Sequence, residues 1–215
     1  MATAKSKEDK LIDAAMRLAA KRPWSEVSLS DIAKSARVPL SALAPGVASK
    51  ADILAAFSRR IDGEVLENLD EEVMEEGPRD RVFDILMARF DALAPYKPAL
   101  KSIAKSYGKD PLTGLASAPA VLQSLGWMLE GAGVDTSGIG GALRVRGLAL
   151  IWFAAFRVWL DDEDDLAKTM AELDRRLRQG EDVLSFVGRL SGRAVSPKAA
   201  PPSEAAETPG PQTGT

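Results

Sequence analysis

Apolar residues in this chain return every three or four positions and rarely alternate with polar ones, which is the signature of helices rather than half-buried strands. The first such stretch runs from Lys7 to about Ala20, with Leu11, Ile12, Ala15, Met16 and Ala19 on one face. The run KRPW breaks it. Ser28 and Asp31 then form a capping-box pair that opens a short helix from Leu29 to about Ala36. Pro39 suits the first turn of a following helix, where no N–H is needed. Ser49 and Asp52 repeat the capping signature and open a long helix carrying Ile53, Leu54, Phe57, Ile61, Val65 and Leu69.

The same period continues to residue 190. The run EEGPRD ends the long helix, and Pro78 begins another with Val82, Phe83, Leu86, Met87, Phe90 and Leu93 on its apolar side. APYKP reads as a turn, and a helix from Pro98 to about Tyr107 follows. Residues 111–131 read as helical with interruptions at Gly114 and Pro119, and GAGVDTSGIGG reads as a loop. Two helices, about 140–160 and 165–190, close the pattern. The predicted class is all-α: an N-terminal three-helix domain over residues 1–50, a larger helical domain over 51–190, and a tail over 191–215. That tail is rich in Pro, Ala, Ser and Gly, cannot bury enough apolar surface to offset its ordering entropy, and is expected to be disordered.

In the last helix Leu166, Met170, Leu173, Leu177, Gly180 and Leu184 step by four and three in alternation, with charged residues on the other sides. Packing within one chain explains such a stripe, and so does a bundle between two copies, in which Gly180 lets helices approach closely. The expectation taken from it is a homodimer interface through these six residues.

Composition narrows the chemistry. The 215 residues contain neither His nor Cys, which removes Ser-His and Cys-His nucleophiles, thiolate ligands and imidazole ligands for zinc. No metal, no cofactor and no enzymatic activity are expected. The acidic run LDDEDDL lacks the alternating carboxylates and turn glycine of a calcium loop; Asp164 or Asp165 is expected to cap the last helix instead. The N-terminus shows no secretory signal, and the longest apolar run, GLALIWFAAF, falls short of the roughly 20 residues a membrane span needs. The expectation is a soluble, cytoplasmic protein. Charge is uneven: residues 1–50 hold nine Lys/Arg against five Asp/Glu, whereas the remainder holds 19 against 26. A basic front on an acidic body fits contact with a polyanion, either nucleic acid or an anionic lipid surface.

Within the basic front, KLIDAAMRLAAKRPWSEVSLSDIAKSARVPLSALAPGVASKADILAAF resembles the helix-turn-helix domain of TetR-family transcriptional repressors. Ile12, Ala14, Ala15 and Leu18 match the first helix of that family, Trp24 its aromatic after that helix, and Val27, Ser28, Leu29, Ile32 and Ala33 the start of its second. Val38 and Leu43 match the apolar positions that clamp the third helix, and Ser49, Lys50 and Leu54 match the opening of the fourth. The resemblance implies binding of double-stranded operator DNA by a dimer, with Ser28, Pro39, Leu40, Ser41, Ala44 and Lys50 as the contacting residues. Lys50, at a helix start, is expected to reach a phosphate.

The departures from the family pattern gather in the third helix. Arg37 stands where glycine is usual, Ala44 where tyrosine is usual, and Val47 where another aromatic is usual. Pro45 and Gly46 fall inside the helix, and the proline forbids a regular continuation. No Arg, Asn or Gln is left for bidentate base contacts; Leu40 or Ala42 can touch a thymine methyl and Ser41 can make one hydrogen bond. Phosphate contacts and DNA shape are therefore expected to outweigh base edges.

Large side chains concentrate in the body: Met87, Phe90, Tyr96, Trp127, Met128, Trp152, Phe153 and Phe156, with Trp159 beside them. The resemblance implies a cavity there for a small apolar or aromatic ligand, although each residue alone also suits an ordinary core. Two functions follow. One is a one-component regulator, a repressor whose ligand alters the DNA-binding domains. The other is a TetR-fold lipid- or quinone-binding accessory protein, like that of coenzyme Q biosynthesis, that no longer reads DNA.

Overall fold

The structure is a computed structural model and describes residues 6–43, 47–69, 75–110, 118–163 and 165–190. Among these residues the regular structure is helical, with no strand. The helices are α1 (Lys7–Lys21), α2 (Leu29–Ala36), α3 (Lys50–Glu67), α4 (Pro78–Leu93), α5 (Lys97–Lys109), α6 (Ala118–Gly131), α7 (Gly138–Asp161) and α8 (Ala167–Leu190). The predicted tail and Gly114 lie outside the described residues.

Three of the helices begin in the same way. Ser6, Ser28 and Ser49 each accept a hydrogen bond from the N–H three residues on, while Asp9, Asp31 and Asp52 accept from the cap N–H. Each box satisfies two of the N–H groups that a helix start leaves without partners. The second and third boxes are those predicted; the first, at Ser6, has the same spacing and sits in the charged N-terminal run.

The N-terminal core is one apolar knot. Ile12, Ala15, Trp24, Val27, Ile32 and Val38 are all buried, along with Ile53 and Phe57 from the start of α3. Its α1 packs against α2, α3 and α5. Trp24 donates its backbone N–H to Ser102 Oγ on α5 at 3.1 Å. Helix α3 continues without a break into the body, where Ile61 and Val65 are buried and the helix packs on α4 and α6. One rigid rod therefore carries residues of both the N-terminal core and the body.

Helix α7 is apolar around most of its circumference. At 24 residues it passes for a membrane-crossing helix by length and composition alone. One face of it, Leu148, Trp152, Ala155 and Trp159, is buried in the body, as in a core helix. Its first turn is tight: a Cβ on Gly141 would overlap the backbone carbonyl of Thr136. The turn into α8 is closed by Asp162, a buried carboxylate that accepts from the Thr169 N–H and hydroxyl at 2.7 Å each. Burial pushes this carboxyl up, but the Thr169 hydroxyl and N–H outweigh it and hold it below its ordinary range. Asp165 accepts from the Ala167 N–H at 3.2 Å, as expected of a cap, while Asp164 lies outside the described residues. The described residues up to Glu181 form one compact unit, and from Asp182 a second unit is described only as helical backbone to Leu190.

Candidate nucleic-acid interface and body core

The turn after α2 takes the shape that a glycine usually provides. Arg37 sits at φ 56 and ψ 40, in the left-handed region. Its N–H donates to the Lys34 carbonyl at 3.1 Å, and the Val38 N–H donates back to Ala33 at 3.0 Å. These two bonds make a Schellman cap. It brings Val38 inward beside Ala33, and both are buried. A non-glycine residue here costs roughly 1 kcal/mol or more. Among the described residues the exposed Arg37 guanidinium has no partner, and the same holds for the exposed Lys34 ammonium. Arg17 of α1 is also exposed and donates to Ser35 Oγ at 3.4 Å.

The segment after the turn differs from expectation. Pro39 does not begin an α-helix; it is extended, at φ −64 and ψ 142, and precedes a single 3-10 turn over Leu40–Ala42. The Leu43 N–H donates to the Leu40 carbonyl at 3.2 Å, and the Val47 N–H to the Leu43 carbonyl at 3.0 Å. The chemistry of Pro45 accounts for this: it has no N–H to offer the carbonyl of Ser41, and it disfavours the helical conformation at the residue before it. Leu43 is buried and pins the segment, whereas Pro39, Leu40 and Ser41 are exposed, Leu40 at 56%. Ala44 lies outside the described residues.

Two other predicted contacts are engaged inside the chain. The Ser28 hydroxyl is held by its capping box, donating to Asp31 at 2.8 Å. Lys50 donates from Nζ to the Trp24 carbonyl at 2.8 Å, and its ammonium lies 4.7 Å from the centre of the Trp24 ring. Burial holds Lys50 below the ordinary lysine value. One of its three N–H donors thus ties the start of α3 to the N-terminal core. Sequence reasoning passed over Lys34 and Arg37 as cations for a polyanion; the signal was their position on either side of the turn.

In the body the predicted aromatic set divides. Phe90, Met128 and Trp152 are buried, with Phe90 stacked on Trp152 at 4.5 Å between ring centres. Trp159 lies 5.6 Å from Phe90, and Phe156 bridges Trp152 and Trp159 at 5.9 and 5.5 Å. Met87 packs on this core half-buried. Trp127 and Phe153 instead face outward, at 55% and 48% exposure. Tyr96 lies elsewhere, edge-on to Phe57 at 4.9 Å, with its hydroxyl accepting from Arg60 at 3.1 Å. It helps line an open groove of about 390 Å³ between α1 and the turn into α5.

Beside the ring stack lies a buried ionic cluster that the sequence reading did not find. Arg89 of α4 donates from Nη1 to Asp62 of α3 and from Nη2 to Ser58 Oγ at 3.1 Å. Ser124 of α6 donates to the same Asp62 oxygen at 2.8 Å, and the guanidinium lies 5.2 Å from the Trp152 ring. Asp62, Arg89 and Ser124 are all buried. Each is spaced as if on an apolar helix face, the one signal that distinguished them from surface charges.

The stripe on the last helix turns inward over much of its length. Leu173 and Leu177 are buried within the chain, and a Cβ on Gly180 would come within 3.3 Å of Ile151 on α7. Leu166 is half-buried at a strained φ of 54, Met170 is exposed, and the side chain of Leu184 is outside the described ones. Large apolar residues stand bare on α7 instead: Ile139, Leu143, Leu150 and Phe153, with Leu150 at 75% exposure. The exposed Arg146 and Arg157 fill the gaps of their four-three spacing, and nothing within 4 Å stands over Gly140 or Gly147.

Residues 11–57 match the model of the family described as bacterial regulatory proteins, tetR family. No curated protein sequence matches the chain. The fold is similar to the crystal structure of a TetR transcriptional regulator from Nitrosomonas europaea, with a TM-score of 0.63 and 22% identity, covering 82% of this chain and 99% of that one. It is also similar to that of a TetR transcriptional regulator from Rhodococcus sp. RHA1, with a TM-score of 0.62 and 19% identity, covering 81% and 94%.

Proposed function

We propose that this chain, whose residues 11–57 are an N-terminal domain of the tetR family of bacterial regulatory proteins, is a one-component repressor that binds operator DNA as a homodimer and is released by a small apolar ligand. The observation that carries the DNA-binding part is the turn at Arg37. The Schellman cap closes the turn after α2 even where the family's glycine is missing, and it leaves Lys34 and Arg37 exposed as cations. With the apolar Leu40 and the small Ser41 exposed on one 3-10 turn, most of the binding energy comes from phosphates, and discrimination comes from DNA shape. Lys50 keeps two further N–H donors for a phosphate beyond its bond to Trp24.

The dimer reading rests on α7. A helix apolar on two opposite faces needs two apolar surroundings, and its own chain supplies one of them. The outward stripe of Ile139, Leu143, Leu150 and Phe153 steps like a coiled-coil seam, and Gly140 and Gly147 beside it permit a close approach by the same helix of a second copy. Release by ligand rests on α3, which carries body residues and N-terminal core residues on one rod. A shift of that rod changes the separation of the two DNA-binding domains of the dimer. The lipid-accessory alternative has no comparable support, since the family match lies in the DNA-binding domain.

A gel-shift over the DNA upstream of the chain's own gene, at moderate salt, tests the reading. Preference for that DNA over random duplex is expected; equal binding to both refutes the operator.

A further inference from the structure

The open groove between α1 and the turn into α5 has the size of a small-molecule site: about 390 Å³, against roughly 300–1,000 Å³ for such sites in general. One wall is a single face of α1, where Met16, Arg17 and Ala20 follow Asp13 at helical spacing. The other wall is the turn that opens α5. Small and rigid residues shape the hollow. Ala20 and Ala99 leave the space, and Pro95 and Pro98 fix the backbone opposite α1, so little ordering entropy is lost when the groove fills. Three lining residues carry polar side chains. Asp13 is already held, accepting from Arg60 Nη1 at 2.9 Å. The Tyr96 hydroxyl accepts from Arg60 Nη2 at 3.1 Å, and a hydroxyl that accepts still has its own proton to donate. Arg17 is exposed, and its bond to Ser35 Oγ is long, at 3.4 Å.

We propose that this groove binds a small amphipathic carboxylate, with its apolar part against Ala20, Pro95 and Pro98 and its carboxylate on the Arg17 guanidinium. Charge complementarity selects that occupant. The lining offers a loosely held guanidinium and a phenol O–H, both donors, while its one carboxylate is taken by Arg60. A ligand ammonium would have to displace Arg60 from Asp13, whereas a ligand carboxylate meets Arg17 as an opposite charge and makes a charge-assisted bond. The site is separate from the ring stack of the body core and stands whether or not the chain is a ligand-released repressor. An occupant touches α1 on one side and the turn into α5 on the other, so it clamps the N-terminal core to the body. It also draws Arg17 away from Ser35 of α2.

The test uses the full-length protein with isotope-labelled alanine methyl groups, followed by NMR, and three probes of one shape: phenylbutyrate, phenylbutanol and phenylbutylammonium. Phenylbutyrate is expected to move the Ala20 and Ala99 methyl signals to saturation with a Kd on the order of 1 mM. It should bind about 3- to 5-fold more tightly than phenylbutanol, the worth of an exposed ion pair, with the ammonium weakest. High salt should shrink that margin. Arg17→Gln should erase the margin while phenylbutanol binds as before. Ala20→Trp, which fills the groove from an exposed position on α1, should abolish the shifts at Ala99 for all three probes. Signals at Ala20 and Ala99 that stay in place, shifts confined to the buried Ala149 and Ala155 of α7, or shifts at Ala99 that persist in Ala20→Trp overturn the site. An ammonium that binds as tightly as the acid, an acid no tighter than the alcohol, or a margin that survives Arg17→Gln overturns the carboxylate assignment.

Discussion

Replacing Arg37 by glycine should move stability and DNA binding in opposite directions. At φ 56 and ψ 40 the arginine backbone is in a region that costs an L-residue with a Cβ about 1–2 kcal/mol, and glycine escapes that cost. Glycine also gives the unfolded chain more freedom, which returns about 0.5–1 kcal/mol to the unfolded state. The side chain is exposed and has no partner among the described residues, so no contact is lost with it. The net expectation is a gain of roughly 0.5–1 kcal/mol, read as a higher urea midpoint at unchanged slope. DNA binding should weaken by a similar factor on every sequence. The slope of log affinity against log salt should shrink by about 0.9, the share of one phosphate contact on duplex DNA. Fluorescence anisotropy with labelled duplex at four or five salt concentrations measures it, and Arg37→Lys, which keeps the charge, should retain most of the slope. A fall in stability would show that the left-handed turn is not strained as argued. An unchanged salt slope would remove Arg37 from the interface.

Other outcomes follow from the same structure. Arg89→Met alone should destabilise the fold by about 3–5 kcal/mol, because it strands the buried Asp62 carboxylate, and adding Asp62→Leu should recover most of that loss in a denaturant melt. Leu150→Glu with Phe153→Glu places charges on the bare face of α7 and should yield a folded monomer by analytical ultracentrifugation, whereas a persistent dimer would move the interface elsewhere. Gly141→Ala should lower the melting temperature, since its Cβ would overlap the Thr136 carbonyl and backbone has to shift to make room. Asp31 is held at about 2, below the ordinary 3.8, chiefly by the Ser28 hydroxyl and N–H. A carboxyl lowered in the folded state contributes stability above its unfolded value and loses it as pH falls towards 2, so the α2 cap should fail across that window. An NMR titration in which Ser28→Ala leaves the Asp31 midpoint unmoved would break that assignment.

The sequence by itself determined the helices and the N-terminal domain. Capping boxes and apolar period are local properties, encoded within four residues of where they act, and so the starts of α2 and α3 and the clamps at Val38 and Leu43 were legible before any coordinates. The departures at Arg37 and Pro45 were legible for the same reason, although the sequence reading put an irregular helix after Pro39 where the chain makes a single 3-10 turn. Only the tertiary structure decided which face of each helix is spoken for. Periodicity shows that α8 has an apolar stripe but not whether that stripe meets its own chain, and Leu173 and Leu177 turned inward. On α7 the period is blurred by apolar residues on both sides, so the bare face of Leu143 and Leu150 emerged only once Trp152 and Trp159 were seen to fill the core. The Asp62–Arg89 pair was hidden for a deeper reason: its partners are 27 residues apart on different helices, and no local rule links a charge on one to a charge on the other. What Lys50 touches was decided in the same way, by the long-range packing that carries the start of α3 back to Trp24.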